Sequence, residues 1–169
     1  MTKDGFTRRV LESEQMLYRI SMSMLRNTAD CEDAVQQTIY TAYRRLSTLR
    51  NDEYFKTWIT RILINECRDQ LKRRGKTQPL ELIEKSTDDG VQQSLELRQA
   101  LNSLSPKLRT VLIMKYGEGF SVKEISRTLR IPEGTVKSRL AAAKDKLKAE
   151  LGEQSPTGEF RRRQIMQVI

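Results

Sequence analysis

The chain has 169 residues, with 31 Lys and Arg against 22 Asp and Glu, a net charge of +9 and 6% aromatic residues. That length holds one ordinary domain or two small ones, and so few aromatics favour small helical units over one large core. With no histidine and only two cysteines, a Ser-His or Cys-His catalytic pair is excluded, and a zinc site lacks most of its usual ligands.

The basic excess favours a polyanionic partner, either nucleic acid or an anionic membrane surface. It is unevenly placed. Fourteen basic and ten acidic residues give +4 over residues 1–74, while two and four give −2 over 75–94. Twelve and six give +6 over 95–152, and three and two give +1 over 153–169. Two basic blocks flanking an acidic segment predict two nucleic-acid-facing modules and a linker. Cys31 and Cys67 read as reduced, half-buried small apolar residues of a cytoplasmic protein. Neither end carries a signal peptide, and no run approaches the ~20 apolar residues of a membrane span, so no direct membrane insertion is expected.

In chain order, Phe6, Val10, Leu17, Ile20 and Met24 repeat at helical spacing and predict a first helix. Asp30 reads as the N-cap of a second, with Glu32 and Asp33 in its first turn and Ala34, Val35, Ile39, Ala42 and Leu46 along one stripe. A third carries Phe55, Trp58, Ile59, Ile62, Leu63, Cys67 and Leu71, and stops at Lys72-Arg73-Arg74-Gly75. Residues 75–94 hold Gly75, Pro79 and Gly90 among polar and acidic residues and read as a flexible linker. Helical spacing resumes at Val91, Leu95, Leu101 and Leu104. Ser105-Pro106 then opens a helix through Leu108, Val111, Leu112 and Tyr116 to Gly117. Ser121 and Glu124 form a capping box for the next. No segment alternates at period two. The fold class is therefore all-α, with two small helical domains and a tail, 153–169, that reads as disordered.

The stretch "FSVKEISRTLRIPEGTVKSRL", Phe120–Leu140, carries two short helical patterns with a tight break. Ile125 and Leu129 face inward on the first, and Ser126 is small enough for a second helix to approach closely. The second, starting near Pro132 or Glu133, turns Val136, Leu140, Ala143, Leu147 and Leu151 inward and presents Thr135, Lys137, Ser138, Arg139 and Lys144. That is the pattern of a helix-turn-helix, whose second helix lies in the major groove. Arg and Lys read guanine edges there, and hydroxyls reach bases or phosphate. A plain amphipathic hairpin with a solvated basic face would not need caps, small packing residue and basic stripe together. "FKTWITRILINECRDQLKRR", Phe55–Arg74, sets aromatics among basic residues, a combination that stacks unpaired bases. The spacing of Trp58 to Phe55, Ile59 and Ile62 favours core packing for that ring, leaving Tyr54 and its loop better placed to touch DNA.

"DCEDAVQQTIYTAYRRL", then "FKTWITRILINECRDQLKRR", a short linker, and "LRQALNSLSPKLRTVLIMKYGEGFSVKEISRTLRIPEGTVKSRLAAAKDKL" together resemble the extracytoplasmic-function sigma factors of bacterial RNA polymerase. The resemblance spans roughly Phe6–Leu151. It implies a first module, 1–74, that grips the polymerase clamp through Asp30, Glu32, Asp33, Gln36, Gln37 and Thr38. The same module captures and melts the minus-ten element, with Asn51, Asp52, Tyr54, Lys56, Arg61, Arg68 and Arg73 as candidate contacts. A second, 95–152, binds the polymerase flap and reads the minus-thirty-five element through Thr135, Lys137, Ser138, Arg139 and Lys144. The acidic linker would thread the RNA-exit region. The resemblance also implies promoter DNA and an anti-sigma protein, often membrane-bound, as partners, with no cofactor and no enzymatic activity. Three positions depart from the family's pattern: Gln37 replaces a frequent Glu, Arg130 a frequent turn Gly, and Ala141 with Ala142 replace polar or basic residues. Two other readings are a stand-alone helix-turn-helix regulator acting without polymerase and, remotely, a metal-dependent nuclease using Asp30, Glu32 and Asp33.

Overall fold

The computed structural model describes residues 1–75 and 91–151, excepting the side chains of 91–94. Every regular element in this range is a helix or helical turn. The chain divides into two units, Met1–Ile83 and Glu84–Ile169. Most of the expected linker, at 76–90, and the tail from 152 onward lie outside the described residues.

The first unit is a three-helix bundle of α1 (Lys3–Leu25), α2 (Thr28–Arg44) and α3 (Phe55–Arg74). The apolar stripe of α1 is buried at Phe6, Val10, Leu17 and Ile20, and it meets Cys31, Ala34, Val35 and Ala42 of α2. From α3 come Phe55, Ile59, Ile62, Leu63 and Cys67. Each large side chain of this set contributes about 1.5–3 kcal/mol by leaving water, which outweighs the modest helix propensity of its many β-branched residues. Trp58 is half-buried, its ring 6.0 Å from that of Phe55. Leu71 departs from the expected apolar face: it is 40% exposed, because the bundle has run out of partners at the end of α3.

Helix boundaries refine the sequence reading. The N-cap of α2 is Asn27, not Asp30: its side chain accepts from the Asp30 amide at 3.0 Å. An Asn held in extended conformation one residue before the helix satisfies this donor, which moves Asp30 into the first turn. Helix α2 ends at Arg44, and the chain passes through two short 3-10 turns, Leu46–Thr48 and Asp52–Tyr54, before α3.

In the second unit α4 (Val91–Ser103) begins inside the segment assigned to the linker. It packs with α5 (Pro106–Leu112) and α7 (Glu133–Leu151) around Ala100, Leu101, Leu104, Leu112, Ala143 and Leu147. After α5 the chain widens into a π-turn, Ile113–Gly117, closed by the Glu118 amide on the Ile113 carbonyl at 2.9 Å. Gly119, at φ 71, then turns the chain so that Phe120 enters the core at 1% exposure. The capping box forms as the sequence predicts, with Ser121 and Glu124 bonded reciprocally at the start of α6 (Val122–Leu129).

The turn between α6 and α7 is built by Ser126 and Arg130. Arg130 adopts the left-handed conformation, φ 56 and ψ 50, a region that favours Gly. The Ser126 carbonyl accepts from the Arg130 and Ile131 amides, and the Ser126 hydroxyl donates to the Ile131 carbonyl at 2.6 Å. Ser126 is thus more than a small packing residue, since it ties both sides of the turn.

Candidate functional site

Three surfaces gather the residues singled out in the sequence. The first is a groove of about 1230 Å³ between α2 and α3. Asp30, Asp33, Gln36, Gln37 and Tyr40 line it from α2, and Glu66, Asp69, Gln70, Lys72, Arg73 and Arg74 from α3. The spacing explains the first set: residues three and four apart stack on one helix face. On α3, Glu66, Asp69 and Arg73 follow the same rule, a polar stripe that helical spacing alone would have revealed. Tyr40 is 56% exposed, with the Arg44 guanidinium 5.7 Å from its ring centre.

Two of the six clamp candidates do not belong to this groove. Glu32 is exposed but lies outside its lining. Thr38 is fully buried, its hydroxyl donating to the Ala34 carbonyl at 2.6 Å. Its side chain lies inside the bundle and is out of reach of a partner, contrary to the expectation that it is a clamp contact. A Thr in mid-helix bonds back to the i−4 carbonyl in this way when its face is covered.

The second surface is the Asp52–Tyr54 turn with the start and outer stripe of α3. Asn51, Asp52 and Tyr54 are exposed, Tyr54 at 59%. The Asn51 side chain accepts from the Glu53 amide at 2.9 Å and so caps the turn. Arg61 and Arg68, seven residues apart, share one half-buried stripe of α3, and at 3.6 residues per turn Lys56 does not fall on it. Arg73 also stands apart: it lines the α2–α3 groove and donates to the Asp69 carbonyl at 3.3 Å. Arg68 lies fourteen residues along the helix from Tyr54, roughly 20 Å at 1.5 Å per residue, so the two arginines run away from the loop, and Arg73 belongs with the groove.

The third surface is α7. Its inward residues Val136, Leu140, Ala143 and Leu147 are buried and fix its rotation. Ser138 then points outward, while Thr135 and Arg139 stack on one flank and Lys137 and Lys144 on the other. Thr135 and Arg139 are half-buried, and Lys137, Ser138 and Lys144 are exposed. The Lys144 ammonium sits 4.9 Å from the Tyr116 ring centre, held by a residue that the π-turn delivers. Ala141 is exposed on the same helix and offers no polar group.

Both thiols are buried, and desolvation raises their pKa values above the ordinary thiol range. They are packing groups. No cluster of three metal-ligating side chains occurs among the described residues. No described helix is long and apolar enough to cross a membrane.

Comparison with known proteins agrees with this arrangement. Residues 10–77 match the family model for Sigma-70 region 2, and residues 94–147 that for Sigma-70 region 4. The ECF RNA polymerase sigma factor SigM of Mycobacterium tuberculosis is 32% identical over 142 residues, covering 82% of this chain and 72% of that protein. SigW of Bacillus subtilis, also an ECF sigma factor, is 29% identical, covering 88% and 90%. Among solved structures, the sigma factor RpoE of Bartonella quintana, bound to the anti-sigma factor NepR, is 25% identical. It aligns with a TM-score of 0.80 over 90% of this chain and 99% of its own. CnrH, solved with the cytosolic domain of CnrY, is 25% identical with a TM-score of 0.68 over 91% and 92%. With both halves matched in order and a 32% identical ECF sigma factor covered over 72% of its length, the chain belongs to the extracytoplasmic-function sigma factors of RNA polymerase.

Proposed function

We propose that the two units divide the work of promoter recognition, with 1–74 binding core polymerase and opening the minus-ten element and 95–152 reading the minus-thirty-five element. The observation that carries this reading is the α2–α3 groove, where Asp30, Asp33, Gln36 and Gln37 converge on a surface that a stand-alone helix-turn-helix regulator does not need. The α2 wall, with Asp33, Gln36 and Gln37, suits a basic helical partner, and the clamp of core polymerase is that partner. The basic residues Lys72, Arg73 and Arg74 close the groove at the end of α3. The Asn51–Tyr54 loop with Arg61 and Arg68 captures the unpaired minus-ten strand, combining an exposed aromatic with cations. On α7 the outward Ser138 and its two flanks enter the major groove of the minus-thirty-five element.

The protein acts as a non-enzymatic specificity subunit in the cytoplasm, held in check by an anti-sigma protein, as its relatives RpoE and CnrH are bound by NepR and CnrY. The test is run-off transcription with purified core polymerase and a promoter library. Promoter-specific transcripts that require the chain are the expected result. Tight operator binding by the free protein, with no such transcript in the presence of core, overturns the proposal in favour of a stand-alone regulator.

A further inference from the structure

We infer that Arg9 of α1 is a positioning residue for the Asn51–Tyr54 loop, setting the conformation in which that loop receives the unpaired minus-ten strand. The inference rests on the minus-ten reading of the loop given above.

A 3-10 turn of three residues holds itself poorly, because its hydrogen bonds are bent and too few to be cooperative. This one presents Asn51, Asp52, Glu53 and Tyr54 to solvent. Its internal supports are the Asn51 cap on Glu53 and the Tyr54 amide on the Asn51 carbonyl at 3.1 Å. Arg9 supplies a support from 43 residues away in the chain, its guanidinium donating to the Asp52 carbonyl. That carbonyl also accepts the Phe55 amide, so both of its lone pairs are engaged.

Arg9 is itself held. Its guanidinium carbon lies 5.8 Å from the centre of the Phe55 ring, and Phe55 is 2% exposed and edge-on to Phe6 at 6.1 Å. A planar cation stacked on a buried ring loses little further freedom when it donates a hydrogen bond. The bundle core therefore reaches the backbone of the turn through Arg9, with Phe55 as the anchor and Arg9 as the strut, while the Met1 ammonium pairs with the Asp52 carboxylate at 3.5 Å and leaves that carbonyl to Arg9. Pre-forming the loop removes the ordering entropy that strand capture would otherwise meet. Half-buried, and with its guanidinium committed to the Asp52 carbonyl and the Phe55 ring, Arg9 acts through the loop and not on DNA directly.

The test uses holoenzyme reconstituted with core polymerase and the strongest promoter that it selects from a randomised DNA pool. Arg9→Met keeps the apolar stem on Phe55 and removes only the donor. Permanganate reactivity of the minus-ten thymines should fall about tenfold, the loss of one charge-assisted hydrogen bond, while core affinity and binding to a minus-thirty-five duplex stay within twofold. Arg9→Lys should recover part of the loss. A parallel fall in core affinity would make Arg9 a mere fold residue and overturn the inference. Wild-type opening by Arg9→Met beside impaired opening by Tyr54→Ala overturns it while leaving the minus-ten reading intact. Wild-type opening by both variants overturns the inference together with the reading beneath it.

Discussion

Asp30 and Arg74 form an ion pair that ties the first turn of α2 to the last turn of α3. Their side chains are 23% and 25% exposed, and they stand at the edge of the groove assigned to the clamp. Each sits at the helix end whose dipole favours its charge. Asp30 thus serves the bundle as well as the partner surface, and its substitution has two effects to separate.

Asp30→Ala should lower unfolding stability by about 1 kcal/mol, since it leaves a partly covered guanidinium without its carboxylate. Urea unfolding of the single variants and of Asp30→Ala with Arg74→Ala measures the coupling. The double variant should cost less than the sum of the two.

Asp33→Lys should weaken core binding at least tenfold while leaving the minus-thirty-five contact of α7 intact. Asp33 is exposed in the groove, and a lysine there repels a basic partner. Thr38→Val is the matching control: the residue is buried, so core affinity should not move, and losing the hydroxyl's bond to the Ala34 carbonyl should change stability by about 0.5–1.5 kcal/mol. Fluorescence titration with labelled core polymerase reads both, and an unchanged affinity for Asp33→Lys would remove the clamp from this face.

Arg139→Ala should reduce affinity by about 1–3 kcal/mol at one base step and relax selectivity there. Lys137→Ala, on the opposite flank of α7, should weaken binding alike on all sequences and lower the salt slope by about one. Selection on randomised minus-thirty-five elements at two salt concentrations distinguishes the two. A loss at Arg139 uniform across sequences would make it a phosphate contact.

Arg130→Gly should stabilise the second unit by up to about 1 kcal/mol, because the left-handed conformation strains any residue with a Cβ. The greater freedom of Gly in the unfolded chain offsets part of the gain. Thermal unfolding of the full chain checks this, and a loss of stability would mean that the Arg130 side chain contributes more than its backbone strain costs.

Burial raises the pKa of both Cys31 and Cys67, so each stays protonated in the folded chain at a pH where the unfolded thiol ionises. The unfolded state then binds fewer protons, and stability should fall as pH rises through about 8.5, the ordinary thiol pKa, and beyond. Below that pH both states carry the proton and the thiols contribute no slope. Maleimide should label neither cysteine in the native chain at pH 7.5 and both in urea. Rapid native labelling would contradict the burial of the pair.

By itself the sequence determined the helices among the described residues, most of their inward faces, Leu71 and Leu95 being exceptions, and the family. Apolar residues at helical spacing, the Ser121–Glu124 box and Gly75 are local signals, and local signals survive without coordinates. It also placed Asp33, Tyr54 and Arg139 on helix or turn positions that prove exposed or half-exposed, while their roles rest on the family resemblance. The tertiary structure decided which of the neighbouring polar residues face outward. Thr38 and Gln37 are adjacent in sequence and similar in polarity, yet only the packing of α2 against α1 and α3 buries one and exposes the other. Asn27 displaced Asp30 as the cap because both are good capping residues, and the end of α1 fixes which comes first. The ties from Arg74 to Asp30 and from Arg9 to Asp52 cross 44 and 43 residues of chain. No periodicity encodes such a pairing. It arises when three helices close on one core and bring their ends together.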